Sequence, residues 1–125
     1  RLAECLPPTG TSLKNPVDVS LTGHLEPEIF FQTVRAVSTD PGVDALVIMG
    51  GGIDEESTRV FTESMIEIRR ESGKPFLMAA IPGVSSETMH TFCQAGIPFF
   101  PTAERAMDVY ARVLRYQTWL RKRRT

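Results

Sequence analysis

The stretch VDALVIMGGGIDEES, Val43–Ser57, decides how the rest of the chain is read. Ala45–Met49 is a short, unbroken apolar run, Gly50, Gly51 and Gly52 stop it, and Asp54, Glu55 and Glu56 open a helical pattern. Such a run, bounded by glycine and followed by a helix, reads as a buried strand of a parallel α/β unit. Each glycine costs conformational entropy on folding, so three in a row need an offsetting gain. Two gains fit: a turn that requires positive φ, or bare amides brought close to a ligand.

Working outward, the same unit recurs. The helix after the glycines runs over 54–72, with Val60, Phe61, Met65 and Ile68 on one side, and stops at Gly73. Pro75–Ile81 (PFLMAAI) is a second apolar run, followed by Pro82-Gly83 and a helix over 86–95 stopped at Gly96. Ile97–Phe100 (IPFF) is the third. A long helix then opens at Thr102, an N-cap residue with Glu104 at the positive end. Ala106, Val109, Tyr110, Val113, Leu114, Gln117 and Leu120 keep one side of it mostly apolar, with Trp119 as its last packing contact. Upstream, Glu26–Thr39 is helical, with Pro27 in its first turn and Ile29, Phe30, Val34 and Val37 at near-helical spacing. Val17–Leu21 (VDVSL) alternates like a short strand, and Leu6–Pro16 is an extended connection.

Strands apolar on both faces, alternating with helices, predict a parallel sheet covered on both sides, with the three strands as neighbours. The fold class is α/β, a flavodoxin-like three-layer α/β/α arrangement. That fold has five strands, and three firm ones and one weak one are found here. The chain therefore reads as N-terminally truncated, or as having an open sheet edge covered by a partner, a homodimer included. Residues 1–16 read as the end of a preceding helix and a linker, and residues 17–125 as the domain.

At 125 residues, with 42% hydrophobic and 23% charged, the composition suits one core. A net charge of −1 provides no global field toward nucleic acid or an anionic membrane, and the basic tail Arg121–Arg124 suits a helix C-terminus. Cys5 and Cys93 form no CxxC pair and are expected reduced in a cytoplasmic protein. Cys93, beside Met89 and Phe92, reads as a packed small hydrophobe.

Ligands of open parallel sheets bind beyond the carboxyl ends of the strands. Gly50, Gly51 and Gly52 occupy such an end, where bare N–H groups and a helix N-terminus suit a phosphoryl or carboxylate group. Against this, Asp54, Glu55 and Glu56 already use the helix dipole. Neither GxGxxG nor GxxxxGK[ST] is present. In the neighbouring loop, Ser85 or Ser86 reads as a helix cap. His24 and His90 are the only bases for a serine nucleophile, and neither is placed as one. No catalytic residue and no metal ligand is assigned.

The segments LPPTGTSLKNPVDVS, DPGVDALVIMGGG, SGKPFLMAAIPG and AGIPFFPTAERAMDVYARVLRY, in this order, resemble ADP-forming acyl-CoA synthetases of the acetate–CoA ligase type, relatives of succinyl-CoA synthetase. The resemblance covers Leu6 to Tyr116. It implies a ligase domain in a larger enzyme that interconverts acyl-CoA, ADP and phosphate with the free acid, CoA and ATP through a phosphohistidine on another domain. CoA, ATP or ADP, and Mg belong to the full-length enzyme, and none is bound by this fragment alone. The implied partners are the CoA-binding, phosphohistidine and ATP-grasp domains or subunits. Gly51-Gly52-Ile53 resembles the Gly-Gly-Ile at a family helix start that faces the phosphohistidine, which implies phosphoryl binding at Gly50, Gly51, Gly52 and Ile53. Asn15 and Asp18 brace a loop or meet another domain, with turn chemistry around Pro16 as the alternative.

The family's phosphorylated histidine, ATP-grasp cations and CoA-binding half have no counterpart here, so the isolated fragment is expected to be inactive. The competing reading is a non-catalytic subunit-contact module of the same fold. A flavin or receiver domain fits less well, because Met49 falls where a receiver needs aspartate and no Ser/Thr-rich phosphate loop is present.

Overall fold

A computed structural model of the chain describes residues 1–79 and 84–124. The end of the second apolar run, Ala80-Ile81, and Pro82-Gly83 lie outside them. The elements run α1 (Leu2–Cys5), α2 (Thr22–Leu25), α3 (Pro27–Ser38), β1 (Leu46–Met49), α4 (Glu55–Ser72), β2 (Phe76–Ala79), α5 (Ser86–Gln94), β3 (Phe99–Phe100) and α6 (Ala103–Arg124). The architecture is α/β with a three-stranded parallel sheet in the order β1-β2-β3, as the flavodoxin-like reading requires. Two compact units divide the chain.

The first unit holds Arg1–Leu46 and Gly51–Pro75. Its core is the face between α3 and α4. Phe61, Met65 and Ile68 of α4 are buried as their spacing predicts, and the Phe61 ring lies 5.5 Å from Phe30 and 6.3 Å from Phe31. The face of α3 is turned relative to expectation: Phe31, Thr33, Val34 and Ser38 are buried, and Ile29 and Val37 only half so. The two polar residues are tolerated because Thr33 Oγ1 donates to the Ile29 carbonyl at 2.7 Å and Ser38 Oγ to that of Arg35 at 3.0 Å. Gly73, at φ 66, ends α4 in the left-handed conformation. Just beyond it, Lys74 Nζ donates to the Asp40 carbonyl at 2.5 Å.

Val17–Leu21 is not a strand. Ser12 and Asp18 exchange a single pair of backbone bonds of 2.9 and 3.0 Å. Asp18 Oδ1 then accepts the Ser20 amide at 2.8 Å, and Ser20 takes φ 57. The aspartate closes a turn that halts any ladder after one bridge.

The second unit holds Val47–Gly50 and Phe76–Thr125. All four residues of β2 are buried, and it pairs with β3 in the register Met78↔Phe99 and Ala79↔Phe100. The third strand is shorter than Ile97–Phe100. Ile97 is fully buried but its amide donates to the Phe92 carbonyl at 2.9 Å, and Pro98 has no amide to offer. Phe92 fixes α5 against β3 by a ring contact of 5.8 Å with Phe99.

Four further features depart from what the sequence predicts. β1 is not covered on both faces: Leu46 and Ile48 are buried, whereas Val47 and Met49 are 37% and 49% exposed. On α6 the apolar side is not a core face, since only Ala106 is buried. Trp119 is not a packing contact with the body; it stacks on Tyr116 of its own helix, rings 5.9 Å apart. Cys93 is exposed, because Phe92 alone is the buried residue of α5.

Candidate functional site

The glycine loop leads from the end of β1 into α4. Asp54 is the N-cap in extended conformation. Its Oδ1 accepts the Ser57 amide at 2.7 Å, and Ser57 Oγ accepts the amides of Asp54 at 3.1 Å and Ile53 at 3.0 Å. This is a reciprocal capping box with serine in the place usually held by glutamate. Thr58 closes the turn, its amide and hydroxyl both donating to the Asp54 carbonyl. Ile53, offered from sequence as a phosphoryl donor, thus already gives its amide to Ser57. Among the described residues, the amides of Gly51 and Gly52 make no hydrogen bond.

The glycines are not there for positive φ, which occurs instead at Gly10, Gly73 and Gly96. At Gly52 the reason is space. A Cβ there would stand 2.1 Å from the Thr58 amide nitrogen and 2.4 Å from the Ser57 carbonyl carbon. The loop lies directly on the first turn of α4, and only hydrogen fits between.

The electrostatics of this end are set by acids. The Ser57 hydroxyl and amide hold the Asp54 carboxyl below its ordinary range. Glu56 is lowered likewise by hydrogen bonding to Arg59, and Arg59 is raised by Glu56 and Glu63. Arg59 contacts Glu56 at 2.6 Å and Glu63 at 2.9 Å, so the nearest cation on α4 is committed to its own helix. Farther along, Val60, Glu63, Ser64, Glu67, Arg70 and Glu71 line an open groove of about 530 Å³. Its acids meet Arg59 and the Arg35 guanidinium. Among the described residues no group of three His, Cys, Asp or Glu side chains converges as a metal site.

The other sequence candidates lie apart. Asn15 precedes a cis peptide to Pro16 and is exposed, and Asp18 performs the turn closure described above. Among the described residues no hydrogen bond joins either one to Gly51–Ile53. His24 sits on α2 and His90 on α5, both exposed. Ser85 is the N-cap of α5, its Oγ accepting the Thr88 amide at 3.2 Å. Sequence reading missed Ser57, whose signal was a hydroxyl three residues after an N-cap aspartate.

No family model matches the chain, and no solved structure matches it. Among curated proteins it is similar to the alpha subunit of acetate–CoA ligase [ADP-forming] I of Pyrococcus furiosus, with 28% identity over 123 residues. The match takes in 96% of this chain and 26% of that subunit, so the chain spans about a quarter of its relative's length. The likeness runs over almost the whole of this chain.

Proposed function

We propose that the chain is the flavodoxin-like ligase domain of an ADP-forming acyl-CoA synthetase. In this reading the whole enzyme converts acyl-CoA, ADP and phosphate to the acid, CoA and ATP. A phosphoryl group carried on a histidine of another domain is met by Gly51 and Gly52, with Gly50 supplying the approach from β1. The observation that carries the reading is the near end-to-end similarity to the acetate–CoA ligase alpha subunit. The domain's part is positioning and charge stabilisation, because phosphoryl transfer asks little covalent chemistry of the protein. Two glycine amides that make no hydrogen bond among the described residues, beside a helix N-terminus, suit that part. CoA, nucleotide and Mg are held by other parts of the enzyme.

Titrating the full chain with a phosphohistidine peptide and with inorganic phosphate, followed by amide NMR, tests the cradle. Saturable shifts at Gly51 and Gly52 are expected. Shifts confined to other residues would remove the phosphoryl role.

A second reading, a non-catalytic subunit-contact module, is favoured by one observation. The amides of Ile53, Asp54 and Ser57 are already closed in the capping box, and Asp54, Glu55 and Glu56 crowd the same turn. Under that reading the phosphohistidine peptide leaves Gly51 and Gly52 unmoved.

A further inference from the structure

Charge in this chain is segregated in a way the total of −1 hides. All 15 acidic residues lie at or before Asp108, against eight basic ones there, a net of −7 for that part. From Val109 onward there are Arg112, Arg115, Arg121, Lys122, Arg123 and Arg124, and no acid. The same segment of α6 leaves its apolar side chains uncovered: Val109, Val113 and Leu114 are 42–44% exposed and Tyr116 is 59% exposed. Val109, Val113, Tyr116 and Leu120 follow one another at i, i+4, i+7 and i+11, a single stripe. Beside it the Arg123 guanidinium sits 4.2 Å over the Trp119 ring, itself stacked on Tyr116. A helix with an apolar stripe, six cations and a prearranged Tyr–Trp–Arg ladder has the residue types of a docking helix. A polyphosphate chain would use the cations and leave the valines and leucines in water, so the stripe points to a protein surface.

The partner it fits is apolar in the middle and acidic at the rim. The acidic body of this same chain offers one. Leu21, the N-cap of α2, and Leu25, one turn further on, are 75% and 81% exposed. Glu26 and Glu28 follow them, both exposed, and Asp18 precedes them. We infer that the C-terminal half of α6 docks on the α2 patch of a second copy of this chain, with Val113, Tyr116 and Leu120 against Leu21 and Leu25, and Arg123 and Arg124, which flank the stripe on either side at about 100° per residue, toward Glu26 and Glu28. The inference stands apart from the proposed ligase role.

Sedimentation equilibrium of the full chain over a range of concentration and salt tests it. The expected result is a mass rising with concentration above the 13.9 kDa of one chain and falling back as salt screens the contact. Arg123→Glu with Arg124→Glu should weaken association about tenfold or more, and so should Glu26→Lys with Glu28→Lys. Mixing the two doubly substituted chains should restore it, because the reversed charges match again. Circular dichroism on each variant confirms that the helices are kept. A chain that stays monomeric at low salt, or an association indifferent to both charge reversals, overturns the inference. So does a monomer that binds phosphatidylserine vesicles through α6, which would make a lipid surface the occupant.

Discussion

At Gly52 the need for a glycine is measurable in ångströms. Its missing side chain makes room for the Ser57–Thr58 backbone, and backbone at a helix start, unlike the tip of a side chain, cannot swing away. Gly52→Ala should therefore destabilise the fold by about 1–3 kcal/mol as overpacking does, read as a lower urea midpoint. That loss is expected whether or not any anion visits the loop, so only the amide titration bears on function. Two residues on, Asp54 carries a pH signature. Its folded carboxyl is held below the ordinary value of 3.8, chiefly by the Ser57 hydroxyl. A depressed carboxyl contributes stability above its unfolded value, and the contribution is lost as pH falls through the folded one. Asp54→Asn keeps a capping side chain without the charge. The variant should have a flatter acid limb of stability against pH below about 4, measured by urea midpoints across the acid range.

At the scale of elements, the α3–α4 pair should hold the first unit together. Phe61 is 7% exposed and touches the rings of both Phe30 and Phe31. Phe61→Ala is expected to cost about 3–5 kcal/mol, visible as a fall in the thermal midpoint. Which parts of these elements the sequence makes legible follows from physics that is local or not. Helix starts at Asp54, Ser85 and Thr102 and the stop at Gly73 are legible because caps act within one turn. Strand neighbours are legible because short connections impose them. The burial of Thr33 and Ser38 is not, since it depends on hydroxyls folding back onto their own helix. Periodicity marks α6 as amphipathic but cannot say that little lies opposite its stripe. The exposure of Val47 and Met49 is hidden for the same reason: an apolar run reports affinity for cover, and cover is supplied from elsewhere.

For the whole molecule, the decisive property is polarity along the chain more than its total charge. With a sequence pI near 6.1, net charge vanishes close to neutrality while a cationic end and an acidic remainder keep their local fields. Molecules of that kind attract one another most where net repulsion is gone. Solubility should pass through a minimum near pH 6.1 and recover with added salt, as light scattering across a pH series would show.

The grip of Lys74 on the Asp40 carbonyl has a chemical corollary. A primary amine engaged in this way is a poorer nucleophile toward an acylating reagent than one waving in solvent. The chain has three such amines besides its terminus, at Lys14, Lys74 and Lys122. Under brief treatment with an N-hydroxysuccinimide ester, mass spectrometry of the digest should find Lys14 labelled well ahead of Lys74. The lag should vanish when the protein is labelled in denaturant, turning one lysine into a reporter of whether the turns ahead of the first and second strands remain clasped.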